Sequence, residues 1–268
     1  LMNSKYKVLK FKKNKFENID DDISIEEPLE ISLKYKEQDK WLINSLIITM
    51  RTPGHDKDLA RGFLYNEQII QNVNEINNIE SFGDKVGKYN IQNKILITLN
   101  NSKNINISKI KRDFMSNSSC GVCGKSSLDA LEITKKEKTL ISDPKLTKDI
   151  IIQSPKILKK SQSEVSKTGG IHASGLFSSD GKLISLREDV GRHNALDKMI
   201  GNALEKKQIE PKKQFVTCSG RLNFELVQKV LMTNIGLMIG VGAPTSLAID
   251  LANRFDMTLI GFVKEDSF

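Results

Sequence analysis

The 268-residue chain is long enough to bury a sizeable core in one or two domains, and its 38% hydrophobic and 28% charged residues suit a soluble globular protein. No apolar run approaches the length of a membrane span, and the basic N-terminal segment has neither the apolar stretch nor the cleavage site of a signal peptide, so we expect a cytoplasmic protein with no membrane partner. The net charge of +8 favours a polyanionic partner, but the cations are not clustered as nucleic-acid binding would prefer, and no nucleic-acid partner is expected.

The first 27 residues divide into a basic and an acidic run. Residues 5–15 hold six lysines, whereas residues 17–30 hold seven acidic residues and no basic one. Opposed charge runs of this kind are typical of solvated segments. We therefore expect residues 1–27 to form a solvated, partly disordered arm.

Residues 28–115 are predicted to form a small α+β domain. Apolar and polar residues alternate on both sides of a polar EQDK stretch within residues 28–50, which predicts a β-hairpin. Asp56 follows the turn RTPGH and is expected to cap a helix. A further strand is predicted at residues 90–99 and a short helix at residues 106–115.

Residues 128–268 alternate between helical and strand patterns, which predicts a layered α/β domain with helices on both faces of a sheet. Its first long helix is expected to bend or break at Pro155. The elements predicted after that helix are a hairpin at 172–186, a helix at 190–207, a strand at 213–219, a helix at 221–235, a strand at 237–243, a helix at 244–255 and a strand at 257–263.

The segment SSCGVCGK contains two of the three cysteines, Cys120 and Cys123. Zinc binding would need two further ligands, and no second paired ligand motif is present, so no zinc is expected. A thioredoxin-like exchanger places its CxxC at a helix N-terminus, whereas Gly121 and Gly124 favour a mobile loop over residues 116–127. Sulfur carriage uses such a loop, on which a thiolate becomes a persulfide and moves to an acceptor. Two packing cysteines would fit the small, polar neighbours poorly.

Three predicted strand-to-helix junctions combine small residues with cationic or hydroxyl side chains. Free N–H groups at helix N-termini bind anions, and the junctions of an open α/β sheet lie at the carboxyl ends of its strands. The first junction holds Arg192 and His193; its alternative interpretation is that Asp189 caps the helix and pairs with Arg192. The other two junctions are residues 219–221 and 241–246.

A fourth glycine-rich segment, TGGIH, ends at His172. Its glycines could let a phosphate approach the backbone, or the segment is a plain tight turn that leads into a core histidine. The sequence leaves both interpretations open.

Together these motifs resemble those of the formate dehydrogenase accessory protein family of sulfur carriers. The segments that carry the resemblance are CGVCG, TGGIH, EDVGRHNALDK, SGRLNFELVQK, APTSLAIDLA and TLIGFVK. Their order and spacing match the family over residues 28–266. The resemblance implies a cytidine-deaminase-like layered α/β/α C-terminal domain, here residues 128–268, preceded by a smaller α+β domain.

The resemblance also implies a function and a site. Members of this family take sulfur from a cysteine desulfurase and pass it to the molybdenum cofactor, bis-molybdopterin guanine dinucleotide, before its insertion into formate dehydrogenase. The persulfide cysteine falls on Cys120, with Cys123 as the second cysteine of the motif. The polyanionic cofactor suits the three junctions, so Arg192 and His193 join the predicted site, and the implied assembly is a homodimer. The family's cofactor-binding stretch falls on Phe262, Val263, Lys264, Glu265, Asp266 and Ser267.

Two other functions compete with sulfur carriage. A zinc deaminase needs H-x-E followed by P-C-x-x-C. Here Ala173 and Ser174 follow His172, and no proline precedes the CxxC, which excludes deamination. The remaining alternative is a non-catalytic chaperone that binds cofactor or apo-enzyme and uses its CxxC for metal or structure. The mass of the intact protein after incubation with a desulfurase distinguishes the carrier from the chaperone.

Overall fold

The computed structural model describes residues 3–100, 145–163 and 168–268. Within these ranges the chain forms three β-sheets and five α-helices. The CxxC motif with Cys120 and Cys123, and the predicted domain boundaries near residues 115 and 128, lie outside the described residues.

The N-terminal segment is a β-hairpin. Strands β1 (Asn3–Lys12) and β2 (Lys15–Ser24) pair antiparallel through a two-residue turn with positive φ at both positions. The register places Lys5 opposite Asp22, so the basic and acidic runs attract each other across the strands. The segment is largely solvent-exposed, as expected, but the prediction of partial disorder was wrong for residues 3–24 because the two charge runs are complementary in this register.

The second sheet has four strands in the order β4-β3-β6-β5. Strands β3 and β4 form the predicted hairpin, and β6, also predicted, runs parallel to β3. Strand β5 was not predicted because its sequence, INNIESFGDKV, has few apolar residues and a glycine. The four strands are β3 (Glu27–Glu37), β4 (Lys40–Arg51), β5 (Ile76–Val86) and β6 (Ile91–Leu99).

Helix α1 (Asp56–Asn66) covers one face of this sheet. Its apolar residues Leu59, Phe63 and Leu64 pack against β3 and β6. The N-cap is His55, in the left-handed conformation, rather than the predicted Asp56. The Asp56 carboxylate instead accepts two hydrogen bonds from the buried Arg51 guanidinium, each 3.0 Å, so it holds the end of β4.

The third sheet has five strands in the order β11-β10-β9-β7-β8. Strands β9, β10 and β11 are mutually parallel, and β7 is antiparallel to both β8 and β9. All five strands were predicted. They are β7 (His172–Ser178), β8 (Leu183–Asp189), β9 (Gln214–Cys218), β10 (Leu237–Gly240) and β11 (Thr258–Ile260).

Four helices cover the two faces of the five-stranded sheet. They are α2 (Lys148–Ser161), α3 (Arg192–Glu205), α4 (Phe224–Met232) and α5 (Ser246–Arg254). Helix α2 continues through Pro155, where the sequence predicted a bend or break, and α5 begins two residues after the predicted Pro244. None of the helices in the described ranges is long and apolar enough to cross a membrane.

This domain has two hydrophobic cores, one on each face of the sheet, and adjacent residues of a strand belong to different cores. Phe177 and Phe215 face α2, with ring centroids 5.3 Å apart, whereas Leu176 and Val216 face α3, α4 and α5. Successive strand side chains point to opposite faces, so each strand supplies both cores. The predicted layered α/β/α C-terminal domain and the smaller α+β unit before it are confirmed.

The two units are joined by a close contact between α1 and α3. A Cβ atom placed on Gly62 of α1 would lie 1.9 Å from the Asp197 carbonyl oxygen of α3. A Cβ atom on Gly201 would lie 2.0 Å from the Asp58 carbonyl oxygen of α1. The two backbones therefore touch, and only glycine fits at either position.

Buried polar contacts reinforce this junction. The Lys229 ammonium of α4 lies 3.0 Å from the Asp197 carboxylate, which also accepts a 2.6 Å hydrogen bond from the Asn66 side chain of α1. Lys198 lies 2.6 Å from Asp189, and both side chains are fully buried. Removing either partner of such a pair leaves a buried charge without its partner, so these contacts fix the packing.

Gly201→Ala should destabilise the protein by about 1–3 kcal/mol, because the added methyl group meets main-chain atoms that cannot move without separating the helices. Urea unfolding followed by circular dichroism measures the loss. Gly170→Ala is the control, since its Cβ would have no neighbour nearer than 3.8 Å. Equal stability of Gly201→Ala and the unchanged protein would contradict the close contact.

Candidate functional site

Three loops converge at the carboxyl edge of the five-stranded sheet. They follow β9, β10 and β11, and main-chain hydrogen bonds connect them. The Gly242 N–H donates to the Gly220 carbonyl oxygen at 3.2 Å, and the Phe262 N–H donates to the Gly242 carbonyl oxygen at 3.3 Å. The end of β8 and the start of α3 lie at the same edge, because β8 runs parallel to β9. The predicted junctions are thus neighbours.

Glycines let these loops pack backbone against backbone. A Cβ atom on Gly242 would lie 2.8 Å from the Arg221 nitrogen, and one on Gly261 would lie 2.6 Å from a Pro244 ring carbon. A Cβ atom on Gly220 would lie 3.1 Å from the Arg192 side chain. Larger residues would separate the loops, so the glycines keep the main-chain groups of this edge together.

A cleft of about 750 Å³ lies between these loops and helix α2. Ile152, Lys156 and Lys159 line its helical side, whereas Ser219, Val241 and Lys264 line the side formed by the loops. A concave site of this size, part apolar and part polar, is typical of small-molecule binding.

The charge of the cleft is mainly positive. Lys156, Lys159 and Lys264 contribute three ammonium groups, and Glu265 contributes one carboxylate. None of the three lysines makes an ion pair with another described residue. Unneutralised cations around a cleft raise the local concentration of anionic ligands.

His172 and Arg192 border the cleft at a small adjoining recess. Burial and the nearby Arg192 guanidinium lower the pKa of His172 from its ordinary value, so its imidazole is neutral near pH 7. Arg192 has no ion-pair partner among the described residues. The alternative pairing with Asp189 is wrong, because Asp189 pairs with Lys198 and Gly191 is the N-cap of α3.

His193, also predicted for the site, points towards α4 instead. Its Nε2 atom lies 2.7 Å from the Glu225 carboxylate and 3.1 Å from the Asn223 amide nitrogen. It does not line the cleft. His193 and Arg192 point to different places because adjacent residues of a helix point in directions about 100° apart.

Only some residues of the predicted cofactor-binding stretch 262–267 line the cleft. Val263, Lys264 and Glu265 line the cleft, and Val263 is also buried in the core beneath it. Phe262, Asp266 and Ser267 are exposed and do not line the cleft. The Lys264 N–H donates to the Ser267 carbonyl oxygen at 2.9 Å, which turns the chain away. Cofactor binding by the stretch stays a prediction.

Sequence reasoning missed the wall of the cleft that α2 forms. Lys156 and Lys159 of this wall lie three residues apart, which places them on one helical face, and Gln162 follows at the C-cap of the helix. That spacing is visible in the sequence. Lysines on one helical face are ordinarily solvated, so the spacing alone does not indicate a binding surface.

Cys218, the third cysteine, is buried at the end of β9. Burial raises the pKa of its thiol to about 11, and the Ser174 hydroxyl lies 3.4 Å from the sulfur. It is therefore a protonated core residue, as the predicted strand suggested. Among the described residues, no group of three or more histidine, cysteine, aspartate or glutamate side chains could hold a metal ion.

Comparison with known proteins shows that the chain matches one protein family over nearly its whole length. The model of the FdhD/NarQ family matches residues 24–268. A relative from Sulfolobus acidocaldarius, named sulfur carrier protein FdhD, is 38% identical over 98% of this chain and 94% of its own length. A relative of the same name from Streptomyces coelicolor is 38% identical over 97% of this chain and 90% of its own.

A solved structure shares the fold. The crystal structure of a Desulfotalea psychrophila chain that carries the name formate dehydrogenase accessory protein superposes with a TM-score of 0.69. The match covers 99% of this chain and 95% of that one, at 21% sequence identity. With the family match over residues 24–268 and two relatives at 38% identity, the chain belongs to the FdhD/NarQ family.

Proposed function

We propose that this protein is a cytoplasmic sulfur carrier in the maturation of formate dehydrogenase. Cys120 accepts a sulfane sulfur from a cysteine desulfurase and passes it to bis-molybdopterin guanine dinucleotide. The observation that carries the proposal is the near full-length match to relatives named sulfur carrier protein FdhD. The cationic cleft supports the acceptor half of the reaction, and the CxxC motif supports the donor half.

The first step is attack of the Cys120 thiolate on the terminal sulfur of the desulfurase persulfide. A new S–S bond forms on Cys120, the donor's S–S bond breaks, and its electron pair leaves on the donor cysteine as a thiolate. No external oxidant is needed, because the sulfur is already at the sulfane level. Three cations near the motif in sequence, Lys111, Arg112 and Lys125, favour the reactive thiolate.

The acceptor site is the cleft beside α2. Its volume of about 750 Å³ lies within the range of about 300–1,000 Å³ for small-molecule sites, so it fits one nucleotide end of the cofactor rather than both. Lys156, Lys159 and Lys264 would hold the phosphates, and the apolar residues Ile152 and Val241 would contact the base.

Chain connectivity supports transfer on one protein. The segment that contains Cys120 joins β6, which ends at Leu99, to α2, which begins at Lys148 and lines the cleft. Donor and acceptor held on the same chain react at a high effective concentration, and the sulfur is less exposed to stray thiols and oxidants.

Loading of sulfur on Cys120 is tested by the mass of the intact protein after incubation with a cysteine desulfurase and cysteine. The unchanged protein should gain the mass of one sulfur atom, reversible by a thiol reductant. Cys120→Ala should abolish this gain and formate dehydrogenase activation, and Cys123→Ala should weaken both less.

The matched control is Cys218→Ala. The Cys218 thiol is buried and protonated, so its loss should leave sulfur loading intact. If Cys120→Ala still activates formate dehydrogenase fully, the carrier function is wrong and the chaperone function takes its place.

GDP serves as the probe for the nucleotide end of the cofactor. Lys159→Ala and Lys264→Ala should each weaken GDP binding by about 1–3 kcal/mol in a calorimetric titration, because each removes a charge-assisted phosphate contact. Lys213→Ala is the control: Lys213 lies beside the opposite end of β9 and pairs with Glu210. Equal affinities for all four proteins would place the nucleotide elsewhere.

A further inference from the structure

The β1–β2 hairpin ends in a protruding, solvated tip. Residues 9–18, which we call the hairpin tip, are all solvent-exposed. Closer to the rest of the molecule, Val8 and Ile19 are half-buried, and the Tyr6 hydroxyl lies 2.9 Å from the Tyr89 hydroxyl. The base of the hairpin is therefore attached to the four-stranded unit, whereas the hairpin tip extends into solvent.

One face of the hairpin tip is apolar. The side chains of Leu9, Phe11 and Phe16 are 63%, 59% and 69% exposed. Phe11 lies opposite Phe16 in the register, with ring centroids 5.0 Å apart, and Leu9 shares their face because alternate residues of a strand point the same way. Nearer the base, the same face carries Lys7 opposite Asp20, so the apolar surface is confined to the hairpin tip.

The opposite face of the hairpin tip is cationic. Lys10, Lys12 and Lys15 alternate with the apolar residues along the two strands, and Lys13 lies in the turn. Four lysines and the single acid Glu17 give the hairpin tip a net charge of +3. None of these lysines makes an ion pair with a residue of the described ranges.

The turn places a cation where other residues would be more stable. Lys13 and Asn14 have φ values of 49° and 60° and form the two central positions of a tight hairpin turn. Such positions favour asparagine, aspartate and glycine, and a lysine adopts positive φ less readily. Lys13 therefore adds charge to the hairpin tip at a conformational cost.

We propose that the hairpin tip binds the surface of an anionic lipid membrane. Its three apolar side chains enter the boundary between headgroups and acyl chains, and the lysines of the other face extend to the lipid phosphates. The charge pairs at the base of the hairpin stay in water. The sequence has no apolar run long enough to span a membrane, which predicted no membrane partner, but binding at the surface does not need such a run.

The opposed faces of the hairpin tip favour a membrane over a protein or nucleic acid. A flat macromolecular surface touches one face of a hairpin and leaves the other in water, so it uses the phenylalanines or the lysines but not both. A membrane interface surrounds the hairpin, with acyl chains on one side and phosphates on the other. Lysine is also depleted at the cores of protein interfaces. This inference is independent of the proposed function, and the hairpin tip lies outside the family match at 24–268.

Co-sedimentation with lipid vesicles tests the proposal. The unchanged protein should bind vesicles of phosphatidylglycerol and phosphatidylcholine in about equal parts. It should bind vesicles of phosphatidylcholine alone at least about tenfold more weakly, because these offer the lysines no net negative charge. Added salt should release the protein from the anionic vesicles, since salt screens the attraction.

Charge reversal at the hairpin tip should have the largest effect. Lys12→Glu combined with Lys15→Glu should weaken binding to the anionic vesicles about a hundredfold or more, because attraction at two positions becomes repulsion. The matched control is Lys206→Glu combined with Lys212→Glu, which makes the same change in net charge at two exposed lysines outside the hairpin. The control protein should bind nearly as well as the unchanged one.

The apolar face is tested separately. Phe16→Ser should weaken binding about tenfold, because an apolar side chain no longer leaves water. Ile23→Ser is the control, since Ile23 is exposed but lies at the base of the hairpin and on the opposite face, and it should bind like the unchanged protein. Thermal unfolding should show that all of these variants are folded.

Tryptophan fluorescence gives a readout that does not depend on a loss of binding. Trp41 is the one tryptophan of the sequence, so in a Trp41→Phe background Phe16→Trp reports on the hairpin tip alone. Its emission should shift to shorter wavelength when anionic vesicles are added, whereas that of Ile23→Trp should not. Three results each overturn the proposal: no preference of the unchanged protein for anionic vesicles, equal binding by the two charge-reversed proteins, or no shift for Phe16→Trp.

Discussion

Helices α1 and α3 touch through their backbones, and this contact joins the four-stranded sheet to the five-stranded one. Gly62 and Gly201 let the two helices touch, and this contact sets the position of the four-stranded sheet relative to the five-stranded one. Once the helices are this close, Thr52 reaches the end of β8, where its N–H donates to the Asp189 carboxylate at 3.1 Å. Lys198 then donates to the Thr52 carbonyl oxygen at 2.7 Å. The smaller unit thus supports the N-terminus of α3, which carries Arg192.

The same contact matters for the proposed sulfur transfer. The segment with the CxxC motif leaves the smaller unit after β6 and enters the larger unit at α2. Because α1 and α3 fix the two units, they also fix the distance between the ends of that segment. The acceptor edge is organised by a second set of glycines, which pack the loops after β9, β10 and β11 together. In the proposed function, tight helix packing and tight loop packing would serve one purpose, which is to hold the acceptor site in place on the chain that also carries the donor cysteine.

Much of the layered domain could be predicted from the sequence because its strands and helices are strongly apolar and alternate regularly. The sequence also predicted that the three strand-to-helix junctions lie at one edge of the sheet, because such junctions follow the carboxyl ends of the strands in an open α/β sheet. Other features depend on pairing between distant segments. The order of residues 3–24 comes from a register that local patterns do not reveal, and Asp56 binds Arg51 instead of capping because β4 ends beside it. The cationic wall of α2 has a visible spacing, yet only the fold shows that it faces the loops.

We propose that the carboxyl edge of the five-stranded sheet and α2 form the acceptor site. Hydrogen–deuterium exchange with and without GDP tests it most directly, because it localises binding without any substitution. GDP should slow exchange in the loops at 219–221, 241–245 and 261–264 and in α2, and should leave exchange in β1, β2 and β4 unchanged. Protection confined to the hairpin or the four-stranded sheet, with none at the carboxyl edge, would contradict it.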